Sequence, residues 1–212
     1  MSEIRHHISE PLIAAYVAGN VAQPYALVIA AHVSMCEECR ARMAAHEMAG
    51  GAVLEATDGH VISTDLRAQV LDALDHAAPN EAQAYQRSGI FPAPVMEALK
   101  GKPPKWKSLG FGVRQSILQS GDDGSVRLLY IPAGQEMPNH SHDGLELTLV
   151  LQGAFSDEDG RFGVGDVEVA DDDVDHAPVA EAGEACICLA ATGAPLKFRS
   201  WMPRLLQPLF RI

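Results

Sequence analysis

Basic residues are in short supply. The 212 residues include 16 lysines and arginines against 28 aspartates and glutamates, and both halves share the excess, with 6 basic and 12 acidic residues in 1–100. Nucleic-acid backbones are held by matched cations, so direct binding to DNA or RNA is disfavoured. A basic protein surface is the better match. Long apolar runs are missing as well. The longest, Tyr25 to Ala31, falls far short of the roughly 20 residues that span a bilayer. The opening MSEIRHHISE has neither an apolar stretch nor a small-residue cleavage site, so no signal peptide is expected and the chain is expected in the cytoplasm. Cysteines number only four, in two tight pairs, Cys36/Cys39 and Cys186/Cys188, unlike the dispersed pattern of a secreted disulfide framework.

What is present is enough apolar material for a real core, at 47% of residues. Its periodicity changes along the chain. Residues 1–78 lack strand-like alternation and read as short helices. Ser9, Glu10 and Pro11 start the first, which Gly19-Asn20 stops; a second runs from about Pro24 to Met35. A third covers Glu38 to Ala49 and is interrupted by Gly50-Gly51, and Ser63 or Thr64 caps a fourth carrying Leu66, Val70, Leu71 and Leu74. None is long enough to stand alone, so each must pack on another element or on a partner. Residues 79–107 are punctuated by prolines and read as a linker with one helical turn near Val95. From residue 108 to 212 the period becomes two, with short strands separated by Gly, Asp and Pro turns. The fold class expected is therefore α+β in two domains, a small helical one followed by an antiparallel barrel or sandwich.

Chemistry gathers in two places. His32, Cys36 and Cys39 are spaced i, i+4, i+7, which on a continuous helix puts them on one face, within about 60° of one another. Zinc takes four tetrahedral thiolate and imidazole ligands, and His6-His7 offers the fourth, spacing leaving open which of the two. A redox dithiol is the competing reading, weakened because no strand precedes the pair. His7 followed by His32-x3-Cys36-x2-Cys39 resembles the zinc-binding anti-sigma signature, and the wider sequence resembles the ChrR-type zinc anti-sigma factors, in which a cupin-like domain follows the zinc domain. The resemblance implies His7 rather than His6 as the ligand. It also implies that residues 1–78 grip an extracytoplasmic-function-type sigma factor and release it in response to an oxidant such as singlet oxygen, sensed by the second domain.

The second cluster lies in residues 108–212. Gly134, then His140-Ser-His142, then Glu146 and Gly153 match the first cupin motif in full. His140 and His142, two apart on an extended segment, project to one side. His176 supplies a fourth ligand from the second motif, although Gly163 and Asp171 stand where that motif usually carries prolines and Ala180 where it carries Asn. Three imidazoles and a carboxylate suit zinc, iron, manganese, nickel or copper; the resemblance tips the choice to zinc. Glu146 could instead orient a histidine ligand. Cys186 and Cys188 share one face of a strand and read as core. Two functions follow: a regulator that is not an enzyme, or a metal-dependent cupin enzyme, dioxygenase or isomerase, with a helical accessory domain. The His/Cys site discriminates, since such an enzyme does not need it.

Overall fold

The computed structural model describes residues 3–76, 84–137, 144–170 and 177–193, together with the backbone alone of 140–141, 175–176 and 197–198. Helices come first: α1 (Glu10–Val17), α2 (Gln23–Met35), α3 (Glu37–Ala56), α4 (Thr64–His76) and α5 (Ala93–Ala98). Strands follow: β1 (Lys107–Gly110), β2 (Val113–Gly121), β3 (Gly124–Ile131), β4 (His140–Ser141), β5 (Glu146–Gln152), β6 (Ala154–Ser156), β7 (Arg161–Gly163), β8 (Val167–Ala170), β9 (Asp175–His176), β10 (Val179–Ala180), β11 (Cys186–Thr192) and β12 (Lys197–Phe198). All pairings are antiparallel. A six-stranded sheet in the order β1-β2-β3-β11-β5-β8 is accompanied by β10-β6-β7 and β12-β4-β9. The fold is the α+β arrangement of a helical segment and a cupin-like barrel.

Alternation along the central strands explains how the two parts meet. Leu147, Leu149 and Leu151 of β5 join Val126 and Leu128 of β3 and Ile187, Leu189 and Ala191 of β11 in one apolar cluster. That cluster also contains Val28, Ile29 and Ala31 of α2, so the outer face of the sheet is covered by a helix from the N-terminal segment. The opposite face packs Val150, Cys186 and Cys188 against Phe155 and Phe162 of the smaller sheet. Central strands are thus covered on both sides, and α2, apolar nearly all round, is buried as such a helix must be. The proline-rich stretch contributes too: α5 starts after Pro92, with Pro94 within its first turn, and places Val95 in the same core beside α2.

Two local expectations change. The third helix does not stop at Gly50-Gly51 but continues to Ala56. Glycine costs a helix about 1 kcal/mol relative to alanine without breaking it, and the flanking alanines, Val53 and Leu54 carry the helix on. His32, Cys36 and Cys39 do not share one helix either. The chain breaks at Cys36, which is extended (φ −108°, ψ 115°) and serves as both the end of α2 and the N-cap of α3.

The helical segment divides into a packed half and a projecting half. Ile8, Ile13 and the inner face of α2 are fully buried. By contrast α4 has no buried residue, and Met48, Val53, Leu54, Val61 and Ile62 before it are exposed as well.

A candidate metal centre

The break at Cys36 builds the centre. It turns α3 away from α2 so that the last turn of one helix and the first of the other face each other, and the segment before α1 crosses the gap. His7, His32, Cys36 and Cys39 converge there, with one donor atom of each lying within 4.8 Å of all the others. Cys36 Sγ stands 3.3 Å and Cys39 Sγ 3.7 Å from His7 Nδ1. Ligands of a tetrahedral zinc ion sit about 3.3–3.8 Å apart, given Zn–N and Zn–S bonds of about 2.0 and 2.3 Å. The cluster needs only a small contraction to meet that geometry.

Each imidazole has its second nitrogen engaged elsewhere. His7 Nε2 lies 3.2 Å from the Glu38 carboxylate, which also pairs with Arg42. His32 Nδ1 is 2.9 Å from the Gly165 carbonyl, so this nitrogen donates and carries the ring proton. His32 Nε2 then keeps its lone pair, and it is buried with no hydrogen-bond partner. A buried imidazole nitrogen with a free lone pair beside two thiols is what a metal would complete. Burial lowers the His32 pKa to about 4, helped by His7 and opposed by the Gly165 hydrogen bond and Asp166. Burial raises the Cys39 thiol to about 11, with further contributions from Cys36 against the Ile8 backbone and Arg42. Without a cation the pair is held as neutral imidazole and thiol; a divalent ion would reverse the thiol's preference.

The neighbouring histidine faces elsewhere. His6 packs on Phe162 with ring centroids 4.3 Å apart and the rings tilted by 38°, and its Nδ1 lies 3.6 Å from Asp166. Spacing could not separate His6 from His7; the side-chain directions do. What the spacing gave no hint of is the anchorage of this segment. Asp166 Oδ1 accepts the backbone N–H groups of Arg5 (2.6 Å) and His6 (2.9 Å), Oδ2 accepts that of Gly163 (2.8 Å), and Val167 N–H donates to the His6 carbonyl at 3.2 Å. Burial would raise the Asp166 carboxyl, but these N–H groups and His6 outweigh it and hold the carboxyl below its usual range.

Of the barrel cluster, Glu146 opens β5, is buried, and accepts the Thr148 hydroxyl at 2.9 Å. The backbone pairs His140 of β4 directly with His176 of β9. The side chains of His140 and His176, and the whole of His142, lie outside the described residues. Cys186 and Cys188 Sγ atoms stand 3.4 Å apart in the barrel interior as free thiols, the Cys188 pKa raised by its hydrogen bond to Cys186 and by burial. Among the described residues no helix is long and apolar enough to cross a membrane.

Residues 98–195 match the model of the ChrR cupin-like domain. Over 211 residues, 99% of each chain, the sequence is 49% identical to the anti-sigma-E factor ChrR of Cereibacter sphaeroides. Among solved structures it resembles Rhodobacter sphaeroides SigE in complex with the anti-sigma ChrR, with a TM-score of 0.80 and 46% identity over 90% of this chain and 99% of that one.

Proposed function

The chain belongs to the ChrR family of anti-sigma factors, and from that premise we propose that its helical segment binds an extracytoplasmic-function-type sigma factor in the cytoplasm and withholds it from RNA polymerase. The observation that carries this reading is the projecting half of the helical segment. Leu66, Val70, Leu71 and Leu74 recur at i, i+4, i+5 and i+8 on α4, and all are exposed. A helix of 13 residues with none of them buried is marginal in water, so the stripe calls for a covering partner. Acidic residues border it: Glu47, Glu55, Asp58, Asp65, Asp72 and Asp75 accompany a single Arg67 between residues 47 and 76. Such a rim complements the basic surface of a protein that itself binds DNA.

Zinc at His7, His32, Cys36 and Cys39 would fix the relative direction of α2 and α3, and so the place from which α4 projects. In the barrel, His140, His142, Glu146 and His176 hold a second divalent metal under this proposal, and the barrel senses an oxidant such as singlet oxygen that leads to release of the sigma factor. The pairing of His140 with His176 supports the first part. The thiolate cluster stands outside the barrel, where an enzyme built on the barrel would have no use for it, which favours the regulator over the cupin enzyme.

Titration of the purified chain with its cognate sigma factor tests the reading. Leu71→Asp with Leu74→Asp should weaken binding by about 100-fold or more, since two apolar anchors at an interface are worth a few kcal/mol together. Cys36→Ser with Cys39→Ser should remove both the zinc and the inhibition. Binding of full strength in the α4 variant would refute the assignment.

A further inference from the structure

The clamp between the chain's beginning and the barrel lies immediately beside the thiolate cluster. Among the described residues, the hydrogen bonds that join them come from one turn, residues 163–167, between β7 and β8, beside the contact of the His6 ring with Phe162. Its Gly165 carbonyl holds His32 Nδ1, which leaves Nε2 directed at the thiols. Its Asp166 carboxylate holds the amides of Arg5 and His6, the two residues preceding His7. Its Val167 amide holds the His6 carbonyl. Gly165 has φ +94°, and a Cβ there would stand 2.6 Å from Ile4 Cδ1, so Ile4 occupies the space over the turn that a side chain would need. Two of the four donors, on segments 25 residues apart, therefore take their positions from the same five residues of the barrel.

We infer that the barrel is part of the helical metal centre: the 163–167 turn positions His32 and the segment carrying His7, so zinc affinity at the thiolates and the seating of residues 4–6 on the barrel are coupled. The inference rests on the reading of the four-residue cluster as a zinc site and adds the route by which the barrel acts on it. Groups that fix the far nitrogen of a metal-bound histidine change affinity by about 10–100-fold when lost. Coupling between two such equilibria is reciprocal, so whatever displaces the turn weakens the metal, and loss of the metal frees the chain's beginning from the turn. Asp166 acts here as a positioning residue, through backbone amides and not through the metal.

The test uses the full chain. Zinc affinity at the thiolate centre is measured by chelator competition, with cobalt substitution and its thiolate charge-transfer absorption to single out that centre from any other. Asp166→Ala should lower the affinity about tenfold or more. Asp157→Ala is the control: Asp157 likewise caps a barrel turn, accepting Asp159 N–H at 3.0 Å and Gly160 N–H at 3.2 Å, and its removal should leave the affinity unchanged. A second arm needs no change at Asp166. Hydrogen exchange of the Arg5, His6 and Val167 amides is compared between the zinc-loaded chain and the Cys36→Ser/Cys39→Ser variant, where it should be at least tenfold faster; this arm decides the matter where Asp166→Ala fails to fold. A folded Asp166→Ala chain with unchanged affinity, or equal exchange in the second arm, overturns the coupling. Failure of the unaltered chain to bind zinc at the thiolates would instead remove the site itself.

Discussion

The two halves of the helical segment each carry an apolar stripe, and the stripes have opposite fates. α2 buries Tyr25, Val28, Ile29 and Ala31 against the sheet and carries His32 into the metal centre. α4 also offers four large aliphatic side chains at helical spacing, and buries none of them. The difference lies in what surrounds the stripe. Apolar residues encircle α2, which has no charged side chain, whereas Asp65, Arg67, Asp72 and Asp75 give α4 a solvated face suited to a contact made and broken in water. One helix is scaffold, the other is offered outward.

Substitutions should divide along that line. Ile29→Ala leaves a cavity under the sheet and should cost about 2–5 kcal/mol of stability in denaturant unfolding. Leu71→Ala removes an exposed side chain from a helix with no buried residue and should stay within about 0.5 kcal/mol. Equal losses from the two would erase the distinction between scaffold and docking surface.

Acid should act on the packed half alone. With the metal removed, the folded chain keeps His32 neutral down to pH about 4, while the unfolded chain takes up that proton near pH 6.5. Between those values the unfolded state binds more protons, so stability falls as pH falls, by at most about 3 kcal/mol from this group. Denaturant unfolding of the metal-free chain from pH 7 to 4, referred to His32→Gln, measures it. No difference between the two chains would mean that burial at this imidazole is not felt.

A smaller and purely local effect belongs to the projecting half. A Cβ at Gly50 would meet nothing within 4 Å, so Gly50→Ala should stabilise α3 locally by about 1 kcal/mol. Circular dichroism should show more helix while the midpoint of global unfolding stays in place.

Much of this was legible in the sequence, for reasons that can be stated residue by residue. Pro11, Pro24 and Pro92 mark helix starts, and the near-continuous apolar runs Leu147 to Leu151 and Cys186 to Leu189 mark strands with two covered faces. His32, Cys36 and Cys39 could be picked by residue type and spacing, and His7 only through the family resemblance, yet their spacing suits one continuous helix where the chain breaks at Cys36. α3 outran its glycines because a weak propensity term does not end a helix with good formers on both sides. Least legible was the clamp of Arg5 and His6 on Asp166, across some 160 residues, since a hydrogen bond from backbone amides leaves no mark on residue type at the donor end. A continuous apolar surface on α2 was the one available sign that the helical segment and the barrel share a core.

Hydrogen exchange of residues 48–76, with and without the cognate sigma factor, tests the central claim most directly. Helix hydrogen bonds without tertiary packing open readily, so the free chain should exchange quickly across this stretch while α2 is protected. Addition of the sigma factor should protect α4 and the second half of α3 and leave α2 nearly unchanged. Protection of residues 48–76 in the free chain equal to that of α2, or no gain there in a complex that has formed, would contradict the account.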